Sequence, residues 1–151
     1  MSTRANIHFV NVVDKVEHIE SNIYRHCNGY PSGLGADLHD FLDEVNKLED
    51  KRFGDSEYLA AKFLVWQAKK YSTDYDGKEK HYLDFLSVAP CLKDHGDIEY
   101  RYKVVCGDGS TSGPRPKIYV QPVPFSAGDE AVEIKGWKLI KTKKQASKME
   151  S

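Results

Sequence analysis

The chain has 151 residues, a length that suits one domain with a real hydrophobic core. Charged residues make up 30% of it and the net charge is -1 with neutral histidines. That balance excludes a general polyanion binder, so nucleic acid is not an expected partner. No apolar run approaches the roughly 20 residues of a membrane span, so no membrane association is expected either.

The segment Ile7-His8-Phe9-Val10-Asn11-Val12-Val13 is rich in β-branched and aromatic residues and predicts a strand. Residues 19–26 predict a second strand, and the polar Asp14-Lys15 between the two predicts a hairpin. A first helix should start near Gly35. Leu34, Leu38, Phe41, Leu42, Val45 and Leu48 recur at helical spacing, and Asp37 falls in the first turn, where its charge complements the helix dipole. Asp55 or Ser56 can cap a second helix over 56–71, with an apolar face of Leu59, Ala60, Phe63, Leu64 and Trp66. Residues 72–80 read as a polar loop, and 82–88 as a strand ended by Pro90. The clearest alternation sets Ile98, Tyr100, Tyr102 and Val104 against Glu99, Arg101, Lys103 and Val105, a strand with one buried face. Residues 107–116 form a Gly-, Ser- and Pro-rich loop that is expected to be mobile. Two more strands follow over 118–121 and 132–140, with Pro122 and Pro124 placing the first at an edge or its end. This order lacks the β-α alternation of a doubly wound fold. It predicts an α+β domain over 1–141, an antiparallel sheet of about five or six strands with a helical pair on one face. A basic, flexible tail is expected over 142–151.

Three cysteines, Cys27, Cys91 and Cys106, cannot all pair within one chain. The first eleven residues lack the basic start and long apolar block of a signal peptide. The expectation is a cytoplasmic protein with reduced thiols.

Titratable, aromatic and turn-forming residues crowd together between the second strand and the first helix, a junction that often carries function. Arg25, His26, Asn28 and Tyr30 form a polar cluster there, and Arg4 reaches it if the first two strands pair. The backbone amides of Gly33 and Gly35 could add donors at the helix start. An acidic or phosphorylated small ligand suits this set, although Asp37 meets the same helix end. Turn chemistry alone also accounts for most of these residue types, since Asn28-Gly29 tolerates positive φ and Pro31 fixes the chain before the helix.

Other chemistry is weaker. Cys27 as a nucleophile needs a nearby base, and neighbouring strand residues such as His26 point the other way. Cys91-x-x-x-His95 lacks a second close ligand pair for zinc. Residues 107–113 lack the Gly-Lys-Ser/Thr ending of a phosphate loop. No catalytic residue, metal or cofactor is therefore expected.

Thr3-Arg4 before the first strand, Tyr24-x-His26-x-Asn28-Gly29-Tyr30-Pro31, and His95-Gly96-Asp97-Ile98-Glu99-Tyr100 occur in this order. Together they resemble a family of small uncharacterised proteins encoded by tailed phages and prophages. Its members typically begin with Ser/Thr-Arg and carry a Tyr-x-His-x-Asp-Gly-Tyr-Pro motif. The resemblance covers roughly the first two thirds of the chain. This sequence departs from the pattern at Asn28, where the family has Asp, and at Cys27, where an aromatic is common. The resemblance implies a phage context, with the host cytoplasm as the compartment, and no particular reaction.

The leading expectation is a non-enzymatic, phage-type accessory binding protein that acts on a host process, by sequestering a small nucleotide signal or by binding a host protein. Two alternatives stand beside it: a hydrolase of a phosphorylated substrate using His26, and a structural or assembly protein. Self-association is compatible with each.

Overall fold

The computed structural model describes residues 2–71, 81, 87–124 and 136–149. Strands β1 (Ala5–Val13) and β2 (Val16–Arg25) form the hairpin that the sequence predicts. Asp14 and Lys15 both take positive φ in its two-residue turn (50° and 66°), which matches the twist of the flanking strands. β2 begins earlier than its sequence suggests, because residues 16–20 are exposed and show no alternation. A bulge after Phe9 shifts the register there.

Four further strands complete the sheet: β3 (Val88–Cys91), β4 (Tyr100–Val105), β5 (Lys117–Pro122) and β6 (Lys138–Ile140). Their order is β3-β2-β1-β4-β5-β6. Every neighbouring pair is antiparallel except the central one: β1 and β4 run parallel, with Ala5 opposite Tyr100 and Phe9 opposite Val104. The fold is therefore α+β with a mostly antiparallel six-stranded sheet, as the sequence predicts, and one parallel pair at its centre. β3 and β4 point the same way on either side of the hairpin. The segment joining them, residues 92–99, must therefore travel back across β2 and β1. That crossover builds the site described below.

Pro90 lies inside β3 rather than ending it. Among the described residues β3 pairs only with β2, and an edge strand tolerates the missing amide. The rest of the strand expected over 82–88, the loop over 72–80 and the first part of the strand over 132–140 lie outside the described residues.

Helix α1 (Ala36–Asn46) is preceded by a π-helical turn over Pro31–Gly35, and α2 (Ser56–Lys70) is capped by Asp55, whose carboxylate accepts from the Tyr58 amide. Both pack on one face of the sheet. Ala5, Ile7, Phe9, Ile23, Tyr102, Val104, Ile118 and Val120 point to the helices and are buried, as strand alternation requires. Phe63 of α2 meets Phe9 at 6.0 Å and Phe41 of α1 at 5.4 Å between ring centroids. Among the described residues no helix is long and apolar enough to cross a membrane.

Two segments are more ordered than their sequences suggest. The 107–116 loop is tied to the start of α2. Asn11 donates to the carbonyls of Gly54 and Gly107 (2.8 and 2.7 Å) and accepts from the Ser56 hydroxyl, while the Gly109 amide donates to Gly54 (2.8 Å). A side chain on Gly54 would run into the Ser110 and Ser112 carbonyls. The tail expected to be flexible instead forms a short helix, α3 (Lys143–Ser147), capped by Thr142. Its buried Ala146 packs against the π turn, and its lysines reach outward, Lys143 to Asp40 at 2.9 Å.

Candidate functional site on the open face of the sheet

The structure divides the residues of the 24–31 segment between two places. Arg25 and His26 are adjacent on a strand and point to opposite faces. Arg25 lies beneath the helices, 1% exposed. Its guanidinium donates to Asp37 (2.8 Å), Gln67 (3.3 Å), Tyr71 (3.2 Å) and the Cys27 carbonyl (2.9 Å). Asp37 also accepts from Lys70 and Tyr71. Burial opposes ionisation of Asp37, but Arg25 and these hydrogen bonds outweigh it and hold the carboxyl below its ordinary value. Burial, helped by the bond to Asp37, pushes the Tyr71 hydroxyl up to about 12. Arg25 thus ties β2 to both helices.

The turn after it serves the backbone. Asn28 takes a positive φ of 53° and its side-chain oxygen accepts from the Tyr30 hydroxyl (3.2 Å). Gly29 sits too close to Ala5 for a side chain, donates to the Thr3 carbonyl (2.9 Å) and accepts from the buried Tyr102 hydroxyl (2.6 Å). The Gly33 amide donates to the Tyr30 carbonyl. Gly35 is buried within the continuous helical run, beside Ile140 and Ala146. These amides are absorbed by the turn and the helix rather than presented to a ligand.

His26 and Arg4 belong to a different cluster, on the face of the sheet that the helices leave open. Asp94, on the crossover, accepts from His8 Nε2 (2.6 Å) on β1, Asn22 Nδ2 (2.9 Å) on β2 and Arg101 Nε (2.6 Å) on β4. Burial disfavours its charge, but the hydrogen bonds from His8, Asn22 and Arg101 prevail and hold the carboxyl well below the usual carboxylate range. Arg101 continues the network to Gln121 (3.0 Å). The backbone amide of the next residue, His95, donates to the buried Asn6 side chain (2.9 Å), which in turn donates to Asn22 (2.8 Å).

With both anchors fixed, the His95 ring lies flat on Tyr24, centroids 3.8 Å apart and planes 9° from parallel. The Tyr24 hydroxyl meets His26 Nδ1 at 3.2 Å. Arg4 Nε donates to the same Nδ1 (3.4 Å) and pairs with Asp97 (3.2 Å). Because Arg4 can only donate, Nδ1 accepts and Nε2 carries the ring proton of His26. His26, His95 and Asp97 are exposed, Arg4 and Tyr24 half-buried. Two rings and a guanidinium thus stand together on a rigid base, able to stack a planar group and to neutralise an anion beside it.

Nucleophilic chemistry has little support in this cluster. Burial, assisted by the Asp97 charge, raises the Tyr24 hydroxyl, the reverse of what activation needs. The Cys91 thiol is bonded to Asn6, and burial pushes it up. Burial, with the Asp55 charge, pushes the Cys106 thiol up to about 12. All three cysteines are free. Among the described residues no group of three or more His, Cys, Asp or Glu side chains is placed to hold a metal ion.

Of the residues that the sequence groups together, Arg4 and His26 do lie side by side; Tyr24, His95 and Asp97, which that grouping leaves out, lie with them. The available signal was the three fragments Thr3-Arg4, Tyr24-x-His26 and His95-Gly96-Asp97. They are far apart in the chain and converge here. No protein-family model matches the chain, and no significant match exists among curated proteins or solved structures.

Proposed function

We propose that the protein is a non-enzymatic binding protein that holds a small anionic aromatic molecule of nucleotide type at the Arg4–Tyr24–His26–His95 cluster. The observation that carries this reading is the convergence of three separate sequence fragments on one exposed patch: a stacked ring pair bordered by a cation. The outer face of His95 stacks the base. Arg4 and the Nε2–H of His26 take the phosphate, which displaces Asp97 from Arg4. The resemblance to phage and prophage proteins supplies the setting: an accessory protein that acts on a host process by sequestering a nucleotide signal.

Calorimetric titration with nucleoside monophosphates and diphosphates tests this. Wild-type protein should bind one of them and return it unchanged. Arg4→Ala removes a charge-assisted hydrogen bond worth about 1.5–3 kcal/mol and should weaken binding by about tenfold or more. Asp97→Asn removes the competing carboxylate and should tighten it. Equal affinity in all three proteins would contradict the assignment. Release of free phosphate that His26→Ala abolishes would replace it with the hydrolase reading.

A further inference from the structure

The far side of the helical pair carries a second feature. Helix α2 is apolar on two sides. Leu59, Ala60 and Phe63 face the core, but Tyr58, Ala61 and Val65 face outward, with Tyr58 51% and Val65 72% exposed. A surface helix normally has one apolar stripe, and a helix apolar all round is normally buried. The outward residues border a groove of about 390 Å³ between α1 and α2, whose walls include Phe41, Val45 and Leu48 from the α1 side and Trp66 from α2. Leu48 is also exposed, at 46%. The groove is almost wholly apolar and carries one acid and one base: Glu44 on the α1 wall and Lys62 on the α2 wall.

We infer that this face pairs with a second copy of the same chain, forming a symmetric dimer in which α1 of each protomer lies over α2 of the other. The charge pattern selects that occupant. A two-fold axis running along the groove exchanges its walls, so Glu44 of one protomer meets Lys62 of its partner, and the reverse pair forms by symmetry. Within the protomer Glu44 pairs with Lys47 (3.5 Å) and Lys62 donates to the Asp50 carbonyl (3.1 Å); a second copy offers both of them an opposite charge across the groove, whereas a partner of single charge offers one to only one of the two. The apolar strip of Tyr58, Val65 and Leu48 then supplies the burial at the centre, and the charges supply register. The dimer covers the helical side of each protomer and leaves the open sheet face, with Arg4 and His95, accessible. It does not depend on the nucleotide reading.

Light scattering on the purified full chain, across a concentration series, tests the pairing. Wild type should reach the dimer mass, and its melting temperature should rise with protein concentration, as mass action requires. Val65→Glu places a charge at the centre of the strip. It should raise the dimer dissociation constant by about tenfold or more and remove the concentration dependence of melting. Val65 is exposed, so the fold should survive, and circular dichroism checks that it does. Glu44→Lys and Lys62→Glu should each weaken the dimer, because each places like charges across the interface. Combining them should restore it, because the reversed pair is again complementary. A wild-type chain that stays monomeric at every concentration overturns the inference. So does a dimer indifferent to Val65→Glu, or a double charge reversal no tighter than either single one.

Discussion

Arg25 and His26 show how one step along a strand separates a buried side chain from an exposed one. Both are polar, adjacent and close to the same turn, and composition places them in one cluster. Strand geometry sends one inward and the other outward. Period alone does not say which of them faces the core, because residues 16–20 of β2 carry no alternation to mark the buried side. Arg25 is the structural member of the two. Arg25→Ala should lower stability by about 3 kcal/mol, since it leaves Asp37 without its one fully buried cation among the described residues, although the half-exposed Lys70 and Tyr71 still reach that carboxylate. Denaturant unfolding measures the loss. Ligand affinity of the remaining folded protein should be unchanged, whereas Arg4→Ala should do the opposite and cost affinity with little stability.

The elements were legible to different depths. The hairpin, both long helices and the 98–104 alternation follow from local pattern, because each is fixed by residues within a few positions of one another. The parallel pairing of β1 with β4 does not, since it depends on which edge the chain returns to after its helices. The crossover over 92–99 is hidden for the same reason. Residues 92–97 carry no strand or helix period, and their placement comes from His8, Asn22 and Arg101, which meet Asp94 only in three dimensions. Asp94 holds this strap. Its carboxyl titrates below the ordinary value in the folded protein, so the unfolded chain takes up the proton first as pH falls below about 4. The stabilisation is complete above that range and is lost as pH falls through it toward the folded value. Asp94→Asn should cost about 2 kcal/mol at neutral pH and flatten this part of the acid dependence. Hydrogen exchange over 92–99 should quicken in the variant, and ligand affinity should drop as His95 loses its support. An unchanged exchange pattern would show that the strap is held by something else.

At the scale of the whole molecule the two faces of the sheet differ in kind. One face is closed by helices around an aromatic core of Phe9, Phe41 and Phe63, with Arg25 and Asp37 tying the layers together. The other carries a polar network across β1, β2 and β4 whose exposed end is the Arg4–Tyr24–His26–His95 cluster. A nucleotide held at that cluster should perturb it and leave the helical side unchanged. Amide and histidine-ring resonances followed by NMR during titration with a nucleoside monophosphate give the most direct test. Shifts should concentrate at Arg4, Tyr24, His26, His95 and Asp97 and should be absent over the buried Arg25 and Asp37. Shifts confined to the groove between α1 and α2, or no shifts at saturating nucleotide, would contradict it.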